Sequence, residues 1–252
     1  MGEQLVIVPT YNEKENIEAL IRQVMEILEE THILIIEDNS PDGTADIVKG
    51  LIASGEFKDR LHIEEREGKQ GLGTAYLYGF NWALERGYEY IFEMDADFSH
   101  NPKELPYLLN ACKEEGFDMS IGSRYVNGVN VVNWPIGRVL MSYYASAYVR
   151  IVTGMSIRDT TAGFKCYTSK VLRKVLERPI RFVGYAFQIE MKFRAWKYGF
   201  KIKEVPIIFR DRTMGESKMS RGIFKEAVFG VIKMKVRSFK CPGASLKKLF
   251  LG

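Results

Sequence analysis

Short apolar runs alternate with amphipathic stretches through the first half of the chain. Residues 4–8 (QLVIV) read as a buried strand that Pro9 ends. Asn12 stands three positions before Glu15, a capping-box spacing, and Ile17, Leu20, Ile21, Val24 and Leu28 then recur at helical intervals. Residues 32–36 (HILII) predict a second strand ending on Glu37-Asp38, and the turn NSPDGT leads into a helix over 45–52. A third strand at 61–64 and a helix over 72–86 that stops at Gly87 come next. A fourth strand at 88–94 runs out on Asp95-Ala96-Asp97, Pro102 opens another helix, and 118–122 form a fifth strand. Apolar strands alternating with covering helices make an α/β protein, a mostly parallel central sheet with flanking helices. Right-handed crossovers bring the carboxyl ends of such strands to one edge, where ligands of these sheets bind. Tyr11, Glu13, Glu37, Asp38, Asp95 and Asp97 all fall at that edge.

Beyond residue 125 the alternation is irregular. Residues 127–134 read as a loop, 137–153 as a helix with a mostly apolar surface, 163–167 and 204–209 as strands, 184–197 as a helix between them, and 222–239 as a last helix. No repeat or low-complexity linker interrupts the chain, so one domain over 1–220 with a C-terminal helix and tail over 221–252 is expected.

Composition changes this picture in three ways. Hydrophobic residues at 46% and charged residues at 27% fit an ordinary globular protein and exclude a disordered or fibrous chain. No apolar run is long enough to span a bilayer, and MGEQLVIVPTYNEKEN has no basic leader region. The cysteines, Cys112, Cys166 and Cys241, are too scattered in sequence for a disulfide framework or a zinc site, which favours a reducing compartment. Charge is segregated: residues 201–252 hold 13 basic and 4 acidic side chains against a net of +4 for the whole chain, so an anionic partner is expected. Charge alone would allow nucleic acid, but no motif supports it.

The candidate chemistry is acidic. The first strand is followed by PTYNEKEN, without the glycines of a dinucleotide fingerprint, and no Walker A loop exists. Asp95 and Asp97, two apart at a strand end, project to one face, as a hard divalent cation bridging a nucleotide diphosphate requires. A solvated turn carrying two acids is the simpler alternative. The preceding apolar strand and the second pair, Glu37-Asp38, favour the metal.

The segments PTYNEKENI (9–17), EDNSPDGT (37–44), EMDADFSH (93–100), GSRY (122–125), NWP (133–135), DTTAGFKCY (159–167), GYAFQIE (184–190) and FRDRTMGESK (209–218) occur in an order that resembles the polyprenol- or dolichol-phosphate mannosyltransferases. These are glycosyltransferase family 2 enzymes of the GT-A fold. The resemblance covers about residues 4–220 and lacks the C-terminal transmembrane helices of some members. It implies a GT-A nucleotide-diphospho-sugar transferase domain over 1–220. It also implies metal-dependent, inverting transfer of mannose from GDP-mannose to a polyprenyl phosphate. Carried over residue by residue, Pro9, Tyr11, Glu13, Ile36, Asp38, Asp95, Ala96 and Asp97 would bind the nucleotide. Asp97 with Asp95 would hold Mg²⁺ or Mn²⁺, and Arg124, Arg138, Arg212 and Lys218 would receive the acceptor phosphate. Asp95, Asp97, Arg124 and Arg212 are the implied catalytic set. Ser99 stands where some members carry Gln as a further metal ligand. Glu190 is not demanded as a base, because a lipid phosphate is already anionic near neutral pH. Asp159 is open between capping backbone amides and touching substrate. His32, His62 and His100 read as structural.

Two other readings remain: a polyprenyl-phosphate glucosyltransferase using UDP-glucose, and a non-catalytic lipid- or nucleotide-binding subunit. In 221–240, Ile223, Phe224, Ala227, Val228, Val231, Ile232 and Val236 share helical spacing with six basic residues. That pattern fits an interfacial helix as well as a helix packed on the domain. The lipid acceptor favours the interface, hence a cytoplasmic protein peripheral on the membrane face, with a membrane-anchoring subunit as a possible partner.

Overall fold

The computed structural model describes residues 3–184, 186–211 and 229–237. Its elements are β1 (Gln4–Thr10), α1 (Ile17–Ile27), β2 (His32–Glu37), α2 (Thr44–Ala53), β3 (Leu61–Glu65), α3 (Leu72–Glu85), β4 (Tyr90–Glu93) and α4 (Leu105–Lys113). These are followed by β5 (Met119–Ser123), β6 (Val131–Val132), α5 (Ile136–Thr153), β7 (Lys165–Thr168), α6 (Ser169–Leu176), α7 (Ala186–Lys197), β8 (Ile202–Pro206) and β9 (Phe209–Arg210). Residues 229–237 are helical. The seven-stranded sheet has the order β3-β2-β1-β4-β7-β5-β8, and β6 pairs with β9 beside it. All neighbours in the large sheet are parallel except β7, which runs antiparallel to both β4 and β5. Helices cover both faces: one apolar cluster joins β1 and β2 to α3, α6 and α7, the other joins them to α1, α2 and α4.

The strand at 4–8 is longer than expected, running through Pro9 to Thr10. Ile7 accepts a bond from Met94 on the β4 side and Thr10 accepts one from Asp38 on the β2 side, so odd residues of β1 face β4. The β1–β4 ladder stops at Ile7–Glu93, so the N–H that Pro9 lacks has no ladder position to fill. The capping box at Asn12 is also displaced. Asn12 takes a left-handed φ of 57° and residues 13–16 form a turn, so α1 begins at Ile17 behind Asn16. The loop expected at 127–134 contains β6, and the amphipathic helix α6 was not anticipated.

α3 lies against the middle of the sheet. A Cβ on Gly79 would stand 2.8 Å from the Cγ2 atom of Ile7, a stiff β-branched side chain in the core. Gly50, on the exposed side of α2, has nothing within 4 Å of the same added atom. Gly79→Ala should therefore destabilise the protein, overpacking at about 1–3 kcal/mol outweighing the helical preference of alanine. Gly50→Ala should stabilise it by up to about 1 kcal/mol. Denaturant midpoints of the two variants check the opposite signs.

Candidate active site

The loops after β1 and β2 are laced together at the carboxyl edge. The N–H groups of Asn12, Glu13 and Lys14 donate to Ser40 Oγ, Thr44 Oγ1 and Asp42 Oδ2, each at 3.0 Å. Glu37 accepts from the Ser40 N–H and contacts its hydroxyl, which closes the second loop. Asp38 is fixed by a two-pronged pair with Arg66, whose Nε and Nη2 donate at 2.6 and 2.7 Å while Nη1 donates to Thr74. Ile36 is buried beneath these loops, and the Tyr11 ring faces Lys69 Nζ at 5.0 Å. Pro9, Tyr11, Glu13, Ile36 and Asp38 are thus brought to one rim. Arg66 was not singled out from the sequence. It lies one residue past β3, where an exposed turn residue is indistinguishable from a partner of Asp38.

β4 delivers the acid pair. Its last residue, Glu93, is fully buried, and so is Lys165, its direct cross-strand partner in β7. Lys165 Nζ lies 2.8 Å from Glu93 Oε2, Tyr167 donates to Glu93 Oε1 at 2.8 Å, and Gln188 from α7 donates to Oε2 at 2.7 Å while its carbonyl meets Lys165. Burial pulls the Lys165 ammonium down against the opposing charge of Glu93. The chain then turns sharply. Phe98 takes a φ of 58°, costly for an aromatic residue, and this brings the Ser99 N–H back to Asp97 Oδ1 at 3.1 Å. Ser99 is buried, so it orients Asp97 through its backbone. Ala96 is buried between the two acids.

Asp95 keeps 36% of its side chain exposed, and Tyr76 donates to it at 3.3 Å. Burial of its surroundings, then the charges of Asp97 and Glu93, push its carboxyl up to about 7. His100 accepts from the Asp95 N–H through Nδ1 and stacks on Phe164, and burial lowers it to about 4, so the ring is neutral and structural as expected. Gly163 of the DTTAGF loop lies against this pair: a Cβ there would be 3.4 Å from the His100 ring and 3.8 Å from Asp95 Oδ2. Lys192, fully buried, donates to the carbonyls of Thr160 and Ala162 and holds that loop in place.

Two of the predicted phosphate arginines, Arg124 and Arg138, prove to be held by carboxylates. Arg124 is buried, and its Nε and Nη2 donate to Asp159 Oδ2 and Oδ1, each at 2.7 Å. Burial opposes ionisation of Asp159, but the charge and hydrogen bonds of Arg124 hold its carboxyl below the usual range. Asp159 in turn receives the Arg124 N–H and donates its own to Glu204, so its role is a clamp. Arg124, expected at the acceptor phosphate, therefore has Nε and Nη2 engaged by Asp159. Arg138 pairs with Asp211 at 2.9 Å and keeps 29% of its side chain exposed. Glu190 accepts from the Arg181 and Phe182 N–H groups and pairs with Arg194, which fits a structural residue and no base. Arg212 and Lys218 lie outside the described residues, as does the 220/221 boundary.

The donor set suits a hard divalent cation only in part. Asp95 and Asp97 offer carboxylate oxygens whose mutual repulsion a dication relieves. Among the described residues, however, no group of three or more His, Cys, Asp or Glu side chains is placed to hold a metal. Diphosphate oxygens and water would have to complete the shell.

The sequence profile of glycosyl transferase family 2 matches residues 5–178. The chain belongs to that family. It is 45% identical over 233 residues to a polyprenol monophosphomannose synthase of Mycolicibacterium smegmatis, across 92% of this chain and 87% of that protein. It is 44% identical over 229 residues to an undecaprenyl-phosphate mannosyltransferase of Micrococcus luteus, across 91% and 92%. A solved glucosyl-3-phosphoglycerate synthase from Mycobacterium tuberculosis superposes with a TM-score of 0.69 at 16% identity, over 93% of this chain and 80% of that one. A mannosyltransferase from Pyrobaculum calidifontis, solved with GDP-Man and Mn²⁺, gives 0.58 at 14% over 98% and 78%. These similarities establish the GT-A fold, and the family membership makes the protein a glycosyltransferase.

Proposed function

We propose that this family 2 enzyme transfers mannose from GDP-mannose to a polyprenyl phosphate, giving polyprenyl phosphate mannose and GDP with inversion at C1. The observation that carries this reading is the division of the carboxyl edge. The laced loops with Asp38 and the acid pair follow β1, β2 and β4, whereas Arg124 follows β5 and Arg138, on α5, pairs with Asp211 just past β9. A nucleotide diphosphate fits the first half and a second anion the other. The two mannosyl-transferring relatives described above carry polyprenol and undecaprenyl-phosphate in their names, which supports mannosyl transfer over the glucosyl alternative.

Asp97 and Asp95 would hold Mg²⁺ or Mn²⁺, and the ion would stabilise charge on the departing diphosphate. The solved mannosyl- and glucosyltransferases that contain Mn²⁺ agree with this choice of cation. An acceptor phosphate oxygen attacks C1 while the C1–O bond to the diphosphate breaks, and the electron pair leaves with GDP. The attacking oxygen is already anionic, so no base is needed. The chain's task is to hold two anions together, for which Arg138 and Arg124, with Arg212 and Lys218 by resemblance, supply charge. Asp97→Asn should lower kcat/KM about a hundredfold or more, as expected for losing a charged group that stabilises the leaving group. Turnover of GDP-mannose and UDP-glucose with a short isoprenyl phosphate, with and without chelator, is the test. Unchanged D97N kinetics, or preference for UDP-glucose, would contradict the reading.

No helix among the described residues is long and apolar enough to cross a membrane. Peripheral contact suits α5 better than the tail alone. Ile136, Leu140, Tyr144 and Ile151 form one exposed stripe, and the charged residues of this helix, Arg138 and Arg150, lie off it. In 229–237, Val231 and Met234 are buried in the α3–α7 cluster and Lys235 donates to Thr153 at the end of α5, whereas Phe229, Ile232 and Val236 are exposed. The helix therefore packs by one face and presents the other, with Lys233 and Arg237 exposed beside it, to a bilayer surface. Ile136 and Ile151 are 79% and 83% exposed, so replacing both with Glu spares the core. Co-sedimentation with anionic vesicles should drop at least tenfold in I136E/I151E, about 1.4 kcal/mol or more. Turnover of a short soluble acceptor should stay near wild type. Undiminished vesicle binding would remove α5 from the membrane contact.

A further inference from the structure

Trp134, in the NWP segment between β6 and α5, packs against Arg124 and Arg138 and has an unmet hydrogen-bonding requirement. Its Nε1 atom is buried and has no hydrogen-bond partner among the described residues. An indole N–H is a donor only, and a buried one left unpaired is costly, so such a group ordinarily has a protein, water or ligand acceptor. Its ring is the common neighbour of both arginines. The Arg138 guanidinium lies over it at 4.1 Å and that of Arg124 at 5.5 Å. Phe209 packs edge-on to it at 5.3 Å and also contacts His100, which holds the Asp95 N–H, so Trp134 is two ring contacts from the acid pair. Its position is fixed from both sides. Asp211 donates its N–H to Val132 and receives Arg138, tying β9 to both ends of the NWP segment.

Resting on the mannosyl-transfer reading, we propose that the indole N–H of Trp134 donates a hydrogen bond to the acceptor's phosphate monoester. Arg124 and Arg138 each already donate to a carboxylate, Asp159 and Asp211. The indole N–H beside them is a donor that no acceptor among the described residues engages. The acceptor is favoured over the donor diphosphate by place. The nucleotide loops follow β1 and β2, whereas Trp134 follows β6, packs on Phe209 of β9 and lies two residues before α5, the helix with the exposed apolar stripe along which a lipid would approach.

The test is the indole region of a ¹⁵N–¹H spectrum of the full-length protein. Three tryptophans give three indole resonances, and the one missing in Trp134→Phe is assigned to Trp134. Trp82, whose N–H already donates to Glu64 at 2.9 Å, is an internal control. Citronellyl phosphate should move the Trp134 resonance downfield and leave Trp82 in place, while GDP with Mg²⁺ should leave both. In kinetics, W134F should raise the KM for citronellyl phosphate about tenfold, the loss of one hydrogen bond to a charged group, with the KM for GDP-mannose within about twofold. Replacement by benzothienylalanine, which keeps the bicyclic shape and lacks the N–H, should reproduce that KM and so separates the hydrogen bond from packing. A Trp134 resonance that moves only with GDP, or with neither ligand, overturns the proposal. So does a benzothienylalanine variant with wild-type KM. The spectrum needs no turnover, so a shift seen without mannosyl transfer would leave this contact standing and count only against the reaction proposed above.

Discussion

The ion pair between Glu93 and Lys165 is the constraint on which the site depends. The two residues face each other directly across β4 and β7, both fully buried, at one of the two seams where the antiparallel strand β7 joins its neighbours. A buried pair of this kind contributes little net stability, because desolvation offsets attraction. Its effect is on register: sliding β7 by one residue would point Lys165 at the opposite apolar layer. Gln188 and Tyr167 satisfy the remaining lone pairs of Glu93, so the network also ties α7 to the sheet. Asp95 starts two residues beyond Glu93 and Gly163 two before Lys165, so the acid pair and the loop pressed against it inherit their spacing from this contact.

The same logic extends outward. Lys192, one turn along α7 from Gln188, clamps the backbone of the 160–162 loop. Asp159, at the head of that loop, clamps Arg124, and Glu204 on β8 receives the Arg158 and Asp159 N–H groups. Asp38, Arg124 and Lys165 are each held by an oppositely charged side chain on a different segment, Arg66, Asp159 and Glu93. Such a site enters the reaction with its dipoles already oriented, which is where electrostatic stabilisation of a leaving diphosphate gains most over water.

Much of this was legible in the sequence, for identifiable reasons. Strand ends that carry acids declared the functional edge, because a short buried apolar run followed by Glu37-Asp38 or Asp95-Ala96-Asp97 has few other uses. The direction of β7 was not legible, since a strand pattern of five residues reads the same either way and its long connection through α5 permits both. Partnerships were legible only when local. Arg66 with Asp38, Arg124 with Asp159 and Lys165 with Glu93 join residues 28, 35 and 72 positions apart, and no spacing rule links them. Pro9 misled for a specific reason: proline ends a strand only where its N–H would have been used, and β4 stops short of it. The C-terminal helix could be read as packed or interfacial, and the described part shows why both patterns were present: Val231 and Met234 face the core while Phe229, Ile232 and Val236 do not.

The claim that one buried pair sets the geometry of the acid edge is tested most directly by a double-mutant cycle on Glu93→Gln and Lys165→Met. Stability and kcat/KM would be measured for both single variants and the double variant. Each single change strands a buried polar or charged partner and should cost about 3–5 kcal/mol, while the double variant should recover part of that loss, with a coupling of about 1–3 kcal/mol. Activity should fall in all three, because neither substitution preserves the register contact under Asp95. Additive effects on stability, or a double variant with wild-type kcat/KM, would contradict the account.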